Sequence, residues 1–430
     1  MITLIKNLFY LFLFLLPWQT RYIYNQGYLN GQKWEYATLC LYASELLLAL
    51  ILLLAIISFI INRQKISAVP DPNRKRRMIL GLAIFTIFIL NCLAGYSPAL
   101  AFHKLNYFVY GVAIVFIIII SKPELPKIAW ALCSAGALQA SLAINQFATQ
   151  TVYPSKWLGM AAQNPTDRGV PVIMANGQRF LRAFGSFQHP NILAGFQVIA
   201  ILMNLFLFTL PLSRNKRKLV FLLSSLNIVG LLLTFSRSAI IAFTLALIVL
   251  LIWNKKDSLN LKLIKRFGLA FLIVLIAFSC LFPGMIKSRL TSNNYLENKS
   301  VQERITQYEQ FWQVFSHRFL MGAGMGNYTL ALSKANPNQK ADSYQPIHNA
   351  YFLLIVETGI AGIIITLVII FFLWQKLKSR LLFTFNQKIV FCCLLTILFI
   401  SLFDHYYLSF YSGLMLVSVV VGLNLQKQNI

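Results

Sequence analysis

The apolar positions of this chain run rather than alternate or stripe. Stretches of roughly 17 to 25 residues, each long enough to cross about 30 Å of hydrocarbon as a helix, recur from one end to the other. About twelve can be marked, near 4–19, 36–62, 78–96, 98–120, 127–148, 190–211, 219–235, 238–253, 267–285, 349–374, 389–403 and 408–424. They predict an all-α integral membrane protein of about twelve transmembrane helices. The opening MITLIKNLFYLFLFLLPWQT lacks a small-residue cleavage site and leads into bulky Trp18 and Gln19, so it reads as an uncleaved first helix.

The polar interruptions are unequal in length. Two are long enough for elaborate structure, 149–188 and 286–348, and the rest are short; no internal repeat is evident. The second contains SVQERITQYEQFWQVFSHRFLMG, in which Ile305, Tyr308, Phe311, Trp312, Phe315 and Phe319 recur at spacings of three and four. That spacing predicts an amphipathic helix lying along the membrane surface or closing over a cavity. The following GAGMGNY lacks the Lys-Ser/Thr of a phosphate loop, so a tight turn is expected. The chain thus reads as one polytopic domain, 1–430, with a first outer loop at 149–188 and a loop subdomain at 286–348.

Charge orients this picture. The net charge of +26 would suggest nucleic acid in a soluble protein, but 58% of the residues are hydrophobic, and the basic residues fall between alternate runs. NRQKISAVPDPNRKRR, SRNKRK, NKKDSLNLKLIKR and QKLKSRLLFTFNQK, with the remaining segments on the same side, hold 23 of the 38 Lys and Arg. Positive-inside bias then predicts N-in, C-in topology with both long loops outside and no nucleic-acid partner. Some of these cations are expected at anionic lipid headgroups. The six cysteines lie in or beside apolar runs, so neither a disulfide framework nor a zinc site is expected.

Against this apolar background, outer arginines stand out. Arg179 and Arg182 sit in GQRFLRAFGSFQHPNILAGF, Arg237 in TFSRSA, and Arg304 opens the amphipathic segment. A guanidinium beside hydrocarbon is costly unless it is paired, snorkels or faces a wet cavity; each is therefore either a site residue or a helix-end residue reaching lipid phosphate. Gathered arginines suit an anion, because the planar fork grips two phosphate oxygens, and a lipid-linked diphosphate is the natural candidate. HPN at 189–191 fits, since Pro190 suits a first helical turn whose N–H groups favour an anion; His189 is read as a capping neighbour or a ligand-side group. His348, at the head of HNAYFLLIVETG, is an N-cap residue or a general base for an attacking hydroxyl, and Asn349 orients it or holds a sugar hydroxyl. Glu357 is expected to serve packing polarity. No two carboxylates lie closer than six positions, which disfavours a DxD-type metal site and two-carboxylate glycoside hydrolysis.

Together these stretches resemble the O-antigen ligase and polymerase superfamily of bacterial inner-membrane glycosyltransferases. RAFGSFQHPNILAGF at 182–196 is similar to its R-x-x-G-T-F-x-x-P-N-x-L-A pattern, with Ser186 in place of Thr. TFSRSA at 234–239 resembles T-x-S-R-[GS]-A, residues 304–328 resemble the loop segment ending in G-x-G-x-G-N, and HNAYFLLIVETGIAG at 348–362 resembles H-N-x-x-L-x-x-x-x-E-x-G-x-x-G. The resemblance implies a GT-C-like fold and an active site outside the cytoplasmic membrane. It also implies inverting, metal-independent, cofactor-free transfer of a glycan from undecaprenyl diphosphate to a glycan or lipid-linked acceptor such as lipid A core. In it Arg237 and Arg182 contact the diphosphate, His348 assists the acceptor, and Arg304, Arg179, Asn349, His189 and Asn191 are candidate substrate contacts. Ligase, polymerase and protein O-oligosaccharyltransferase remain open as alternatives. A flippase or transporter stands further off, because neither repeat symmetry nor paired broken helices are found.

Overall fold

The computed structural model describes residues 1–62, 74–290, 295–337, 339–378 and 383–426. The basic segments 62–77 and 375–388, the long loop 286–348 and the C-terminal tail lie in part outside the described residues.

The described chain is mostly helical. It opens with α1 (Ile2–Leu15), then β1 (Arg21–Asn25), β2 (Tyr28–Leu29), β3 (Gln32–Lys33), β4 (Leu39–Tyr42), α2 (Ala43–Asn62), α3 (Arg74–Ala94), α4 (Pro98–Ser121) and α5 (Leu125–Thr149). A hairpin, β5 (Val172–Ala175) and β6 (Gln178–Leu181), leads to α6 (Pro190–Leu207), α7 (Arg214–Leu233), α8 (Arg237–Trp253) and α9 (Ser258–Leu281). After them come α10 (Pro283–Leu290), α11 (Tyr295–His317), α12 (Tyr328–Ala335), α13 (Ala350–Thr358), α14 (Ile360–Lys378), α15 (Phe385–Ile400), α16 (Tyr406–Ser409) and α17 (Tyr411–Leu425).

Each of the twelve apolar runs carries a helix, and among the described residues six helices are long and apolar enough to cross a membrane: α2, α4, α5, α6, α9 and α14. This is the composition of an integral membrane protein. Local chemistry sets the helix starts. Ser97 caps α4 ahead of Pro98, His189 caps α6 ahead of Pro190, and Thr384 and Gln387 form a capping box on α15. The core forms around α6, 94% of whose spanning window is buried, against α5, α7, α8 and α15. At the other extreme α14 buries 6% of its window and presents Leu367, Val368 and Phe371 outward, as a lipid-facing helix does.

Three features depart from a bundle of plain helices. The run 36–62 gives up its first residues to β4, which pairs antiparallel with β1, Arg21 opposite Tyr42. The run 349–374 is not one helix but two, broken at Gly359 with φ +64°. The break is closed from outside by the expected tight turn: Ala323 and Gly324 donate their N–H groups to the carbonyls of Val356 and Glu357, both at 2.9 Å, and Asn91 Nδ2 also donates to Glu357 O. Gly322, Gly324 and Gly326 all take positive φ there, which is why this turn is glycine-rich. The third departure concerns α11, whose apolar stripe is split. Val314 is buried and Phe311 stacks on Phe352 at 5.0 Å, whereas Ile305, Trp312 and Phe319 point outward.

Candidate functional site

The segment between β6 and α6 is held in place by two glutamines of α5. Gln146 Oε1 accepts the N–H groups of Phe184 and Gly185 at 3.0 and 2.9 Å, and Gln139 Oε1 accepts that of Ser186 at 2.7 Å. Gly185 has φ +60°, and a Cβ there would lie 2.6 Å from Gln139 Oε1, so a side chain is excluded twice over. This clamp brings Arg182, 7% exposed, under the turn between α7 and α8. Its Nε donates to Thr234 O at 2.7 Å, and its Nη2 donates to Asn191 Oδ1 at 2.6 Å.

Asn191 passes the contact on. Its Nδ2 donates to Asp404 Oδ2 at 2.7 Å, while Asp404 Oδ1 accepts the N–H of His405 at 2.8 Å. Asp404 lies in the turn between α15 and α16, and the imidazoles of His405, His348 and His189 surround it. The rings of His348 and His405 meet edge to face, their centroids 5.7 Å apart. Burial opposes the charge of Asp404, but His405, His348, His189 and the Asn191 carboxamide together hold its carboxyl below the ordinary value. Burial pushes the imidazole of His189 down to about 3, with Arg182 adding to the effect, and that of His405 down to about 4. The site therefore brings the buried Arg182 guanidinium and Asp404 carboxylate together with the neutral imidazoles of His189 and His405.

His348 is not the helix cap. Asn349 is: its Oδ1 accepts from Tyr351 N and Phe352 N at 3.0 and 3.1 Å, and its Nδ2 donates to Leu402 O at 3.2 Å. The group that orients the His348 ring is Gln307 of α11, whose Oε1 accepts the His348 backbone N–H at 2.9 Å and lies 3.1 Å from Nδ1. A carboxamide oxygen only accepts, so this contact needs the proton on Nδ1, which in a neutral ring leaves the lone pair on Nε2. Sequence reasoning missed Gln307 and Asp404. Each had a signal: a polar residue inside the apolar stripe of α11, and a carboxylate ending the apolar run 389–403.

The other candidates are spread more widely. His189 accepts from Asn191 N at 3.1 Å, a capping contact, yet it also faces Asp404. Arg304 stands one turn before Gln307 on α11. The exposed Arg237, first residue of α8, donates from Nη1 to Arg289 O on α10 at 3.0 Å, and Arg289 returns a bond from Nη2 to Phe235 O at 3.1 Å. Arg179 lies on β6 and binds the loop carbonyls of Pro165 and Asp167 at 2.5 and 3.1 Å, a structural use of its fork. Glu357 directs its carboxylate toward the N–H groups of Gly326 and Tyr328 and toward Lys104 of α4. Among the described residues no group of three or more His, Cys, Asp or Glu has metal-holding geometry.

No curated protein and no solved structure matches the chain. Residues 219–367 match the family model described as O-antigen ligase, a stretch running from α7 through Arg237, Gln307 and His348 into α14. That match covers about a third of the chain and supports its likeness to the O-antigen ligase and polymerase superfamily.

Proposed function

We propose that the protein transfers a glycan from a polyprenyl diphosphate to an acceptor hydroxyl, with inversion, at the outer face of the bacterial cytoplasmic membrane. The reading takes all twelve apolar runs as spans, with both termini inside and the site outside, following the distribution of basic residues. The observation that carries it is the Gln307–His348 contact. An imidazole with its proton on Nδ1 offers Nε2 to the hydroxyl of an incoming acceptor.

In the step, the acceptor oxygen attacks the anomeric carbon from the face opposite the diphosphate. Its proton passes to His348 Nε2 as the new glycosidic bond forms. The bond from the anomeric carbon to the diphosphate oxygen breaks, and its electron pair leaves on the diphosphate. Arg182 and Arg237 supply the positive charge that this departure needs, with Arg304 approaching from α11. Asp404 acts through Asn191 as a positioning residue that fixes the Arg182 fork. Asn191, His189 and Asn349 complete the rim, and Arg179 shapes the first outer loop rather than gripping substrate.

The test uses purified full chain with an undecaprenyl-diphosphate-linked oligosaccharide, assayed separately for donor binding and for transfer. His348→Ala is expected to lower turnover by at least about 100-fold while keeping donor binding, since general-base assistance is typically worth about 100- to 10,000-fold. Arg237→Lys should lose activity nearly as Arg237→Ala does, because the two-pronged grip is lost with the fork. Chelators should leave the wild type active. Normal transfer by His348→Ala, or strict dependence on a divalent ion, overturns the reading. The product separates acceptors: a capped lipid means ligase, a lengthened lipid-linked chain means polymerase.

A further inference from the structure

The helix that carries Gln307 has three faces rather than two. At about 100° per residue, Val301, Ile305, Tyr308 and Trp312 of α11 fall within one sector about 60° wide. All four are exposed, Trp312 to 64%, and the exposed Phe319, Leu320 and Met321 follow just past the helix end. The sector turned into the protein is a different one. It buries Gln307 and Val314 and stacks Phe311 on Phe352 of α13. Glu303, Thr306, Gln310 and Gln313 make up the third, polar sector.

The exposed apolar sector continues a lipid-facing surface. On leaving α11 the chain is wedged between the ends of two apolar helices. Arg318 Nη1 donates to Ala94 O of α3 at 3.0 Å, Asn91 Nδ2 of α3 donates to Met321 O, and Ile360 N of α14 donates to Leu320 O at 3.3 Å. The exposed Leu320 and Met321 thus sit between α3, exposed at Leu90 and Leu93, and α14, exposed at Ile363 and Ile364. Charge points the same way. From Lys299 onward α11 sets Lys299 and Arg304 against Glu303 and Glu309, with Lys299 3.7 Å from Glu303. Charges that cancel leave apolar area as the attraction, and Tyr and Trp suit the headgroup level of a bilayer.

We propose that α11 lies in the headgroup layer of the membrane, its apolar sector in lipid and its polar sector in water, and that this seat holds Gln307 against His348. The second half rests on the transfer reaction proposed above; the first does not. Lipid fixes the depth and roll of the helix from one side, and α13 fixes its distance from the other. Gln307 shares a turn with Ile305 and Tyr308, so a roll that lifts those two from lipid carries Gln307 away from the imidazole. Gln307 is thereby a positioning residue, and the bilayer is part of what positions it.

The test places spin labels on single cysteines at Ile305, Trp312 and Glu303 of the full chain, with Cys280→Ser, in phosphatidylcholine nanodiscs. Ile305 and Glu303 are two residues apart on opposite sides of the helix. Paramagnetic resonance reads contact with oxygen, which concentrates in lipid, against a water-soluble nickel chelate. Labels at 305 and 312 should favour oxygen and the label at 303 nickel, with no change on adding phosphatidylglycerol or salt. Nickel contact at all three, or shielding of 305 and 312 from both reagents as under a protein partner, overturns the seat; loss of the pattern in salt overturns its apolar basis. Val301→Gln with Ile305→Gln should lower turnover in nanodiscs by about tenfold or more, a positioning effect, while donor binding and the melting temperature in detergent stay as in the wild type. Val301→Leu with Ile305→Leu, equally apolar, should keep turnover. Full turnover in the Gln pair overturns the link to His348. The oxygen pattern intact in a wild type that transfers from no lipid-linked donor overturns the reaction and leaves the lipid seat standing.

Discussion

In the proposed transfer Gln307 fixes which nitrogen of His348 accepts the proton, and this makes it a sharper probe of mechanism than the histidine itself. Replacing it by Leu removes the acceptor that holds the proton on Nδ1. Turnover should fall about tenfold or more while the Michaelis constant for the donor barely moves, and Gln307→Glu, which keeps an acceptor, should recover much of it. Unchanged turnover in Gln307→Leu would leave the ring orientation without a catalytic meaning. A second expectation concerns His405, held by burial at about 4, below the 6.5 of a free imidazole. Between those values the unfolded chain binds more protons than the folded one. The stability from the neutral ring is therefore complete above about pH 6.5 and drains away as pH falls toward 4. The melting temperature should drop more between pH 7 and pH 5 in the wild type than in His405→Gln; equal slopes would contradict a neutral buried ring. Arg182 and His348 were legible in the sequence because an ionisable group beside hydrocarbon stands out. Gln307 and Asp404 were not, since each gains its meaning from a partner 41 or 213 positions away.

Among the elements, the broken pair α13–α14 shows how a run of apolar residues misleads. Nothing in the hydropathy of 349–374 marks a break, and only Gly359 hints at one. What closes the break is the turn 320–326, whose N–H groups meet the freed carbonyls, a pairing that periodicity cannot foresee. The helices themselves were readable because length and apolarity suffice to specify them in a membrane. The hairpins β1–β4 and β5–β6 were not, because their strands span only two to five residues. Gly324 carries the test at this scale. At φ +96°, with a Cβ position 2.6 Å from Gly95 Cα, it has no room for a side chain. Gly324→Ala should lower the melting temperature by several degrees, corresponding to about 1–3 kcal/mol of backbone strain. Gly81→Ala, in the interior of α3 with nothing within 4 Å, should leave it unchanged or raise it, alanine being the better helix former by about 1 kcal/mol. Equal losses in the two would remove the special status of the turn.

For the whole molecule, the proposed orientation makes a direct demand. In a background with the exposed Cys280 replaced by Ser, single cysteines at the exposed positions Ser343 and Thr166 should react with an impermeant reagent on intact spheroplasts, and one at Lys262 should react only after permeabilisation. Labelling in the reverse sense would put the site on the wrong side for the proposed donor. The architecture that sequence could outline was this alternation of runs and charges. What it could not outline was which ends converge, because the convergence is made by single hydrogen bonds between distant turns.

Those distant bonds also set an order in time. The Asp404 carboxylate that holds Asn191, and the Ser409 carbonyl that holds Lys104, are made by the ribosome some 200 to 300 residues after their partners. Until the stretch carrying Asp404 and Ser409 has been translated and inserted, Asn191 lacks its contact with Asp404 and Lys104 its contact with Ser409. A nascent chain halted in α15 would thus carry Arg182 and His348 without the Asp404 contact that, in the proposed reaction, fixes the Arg182 fork through Asn191. In the proposed reaction, the site is thus completed only by the last stretch of the chain, whose Asp404 and Ser409 carry these contacts.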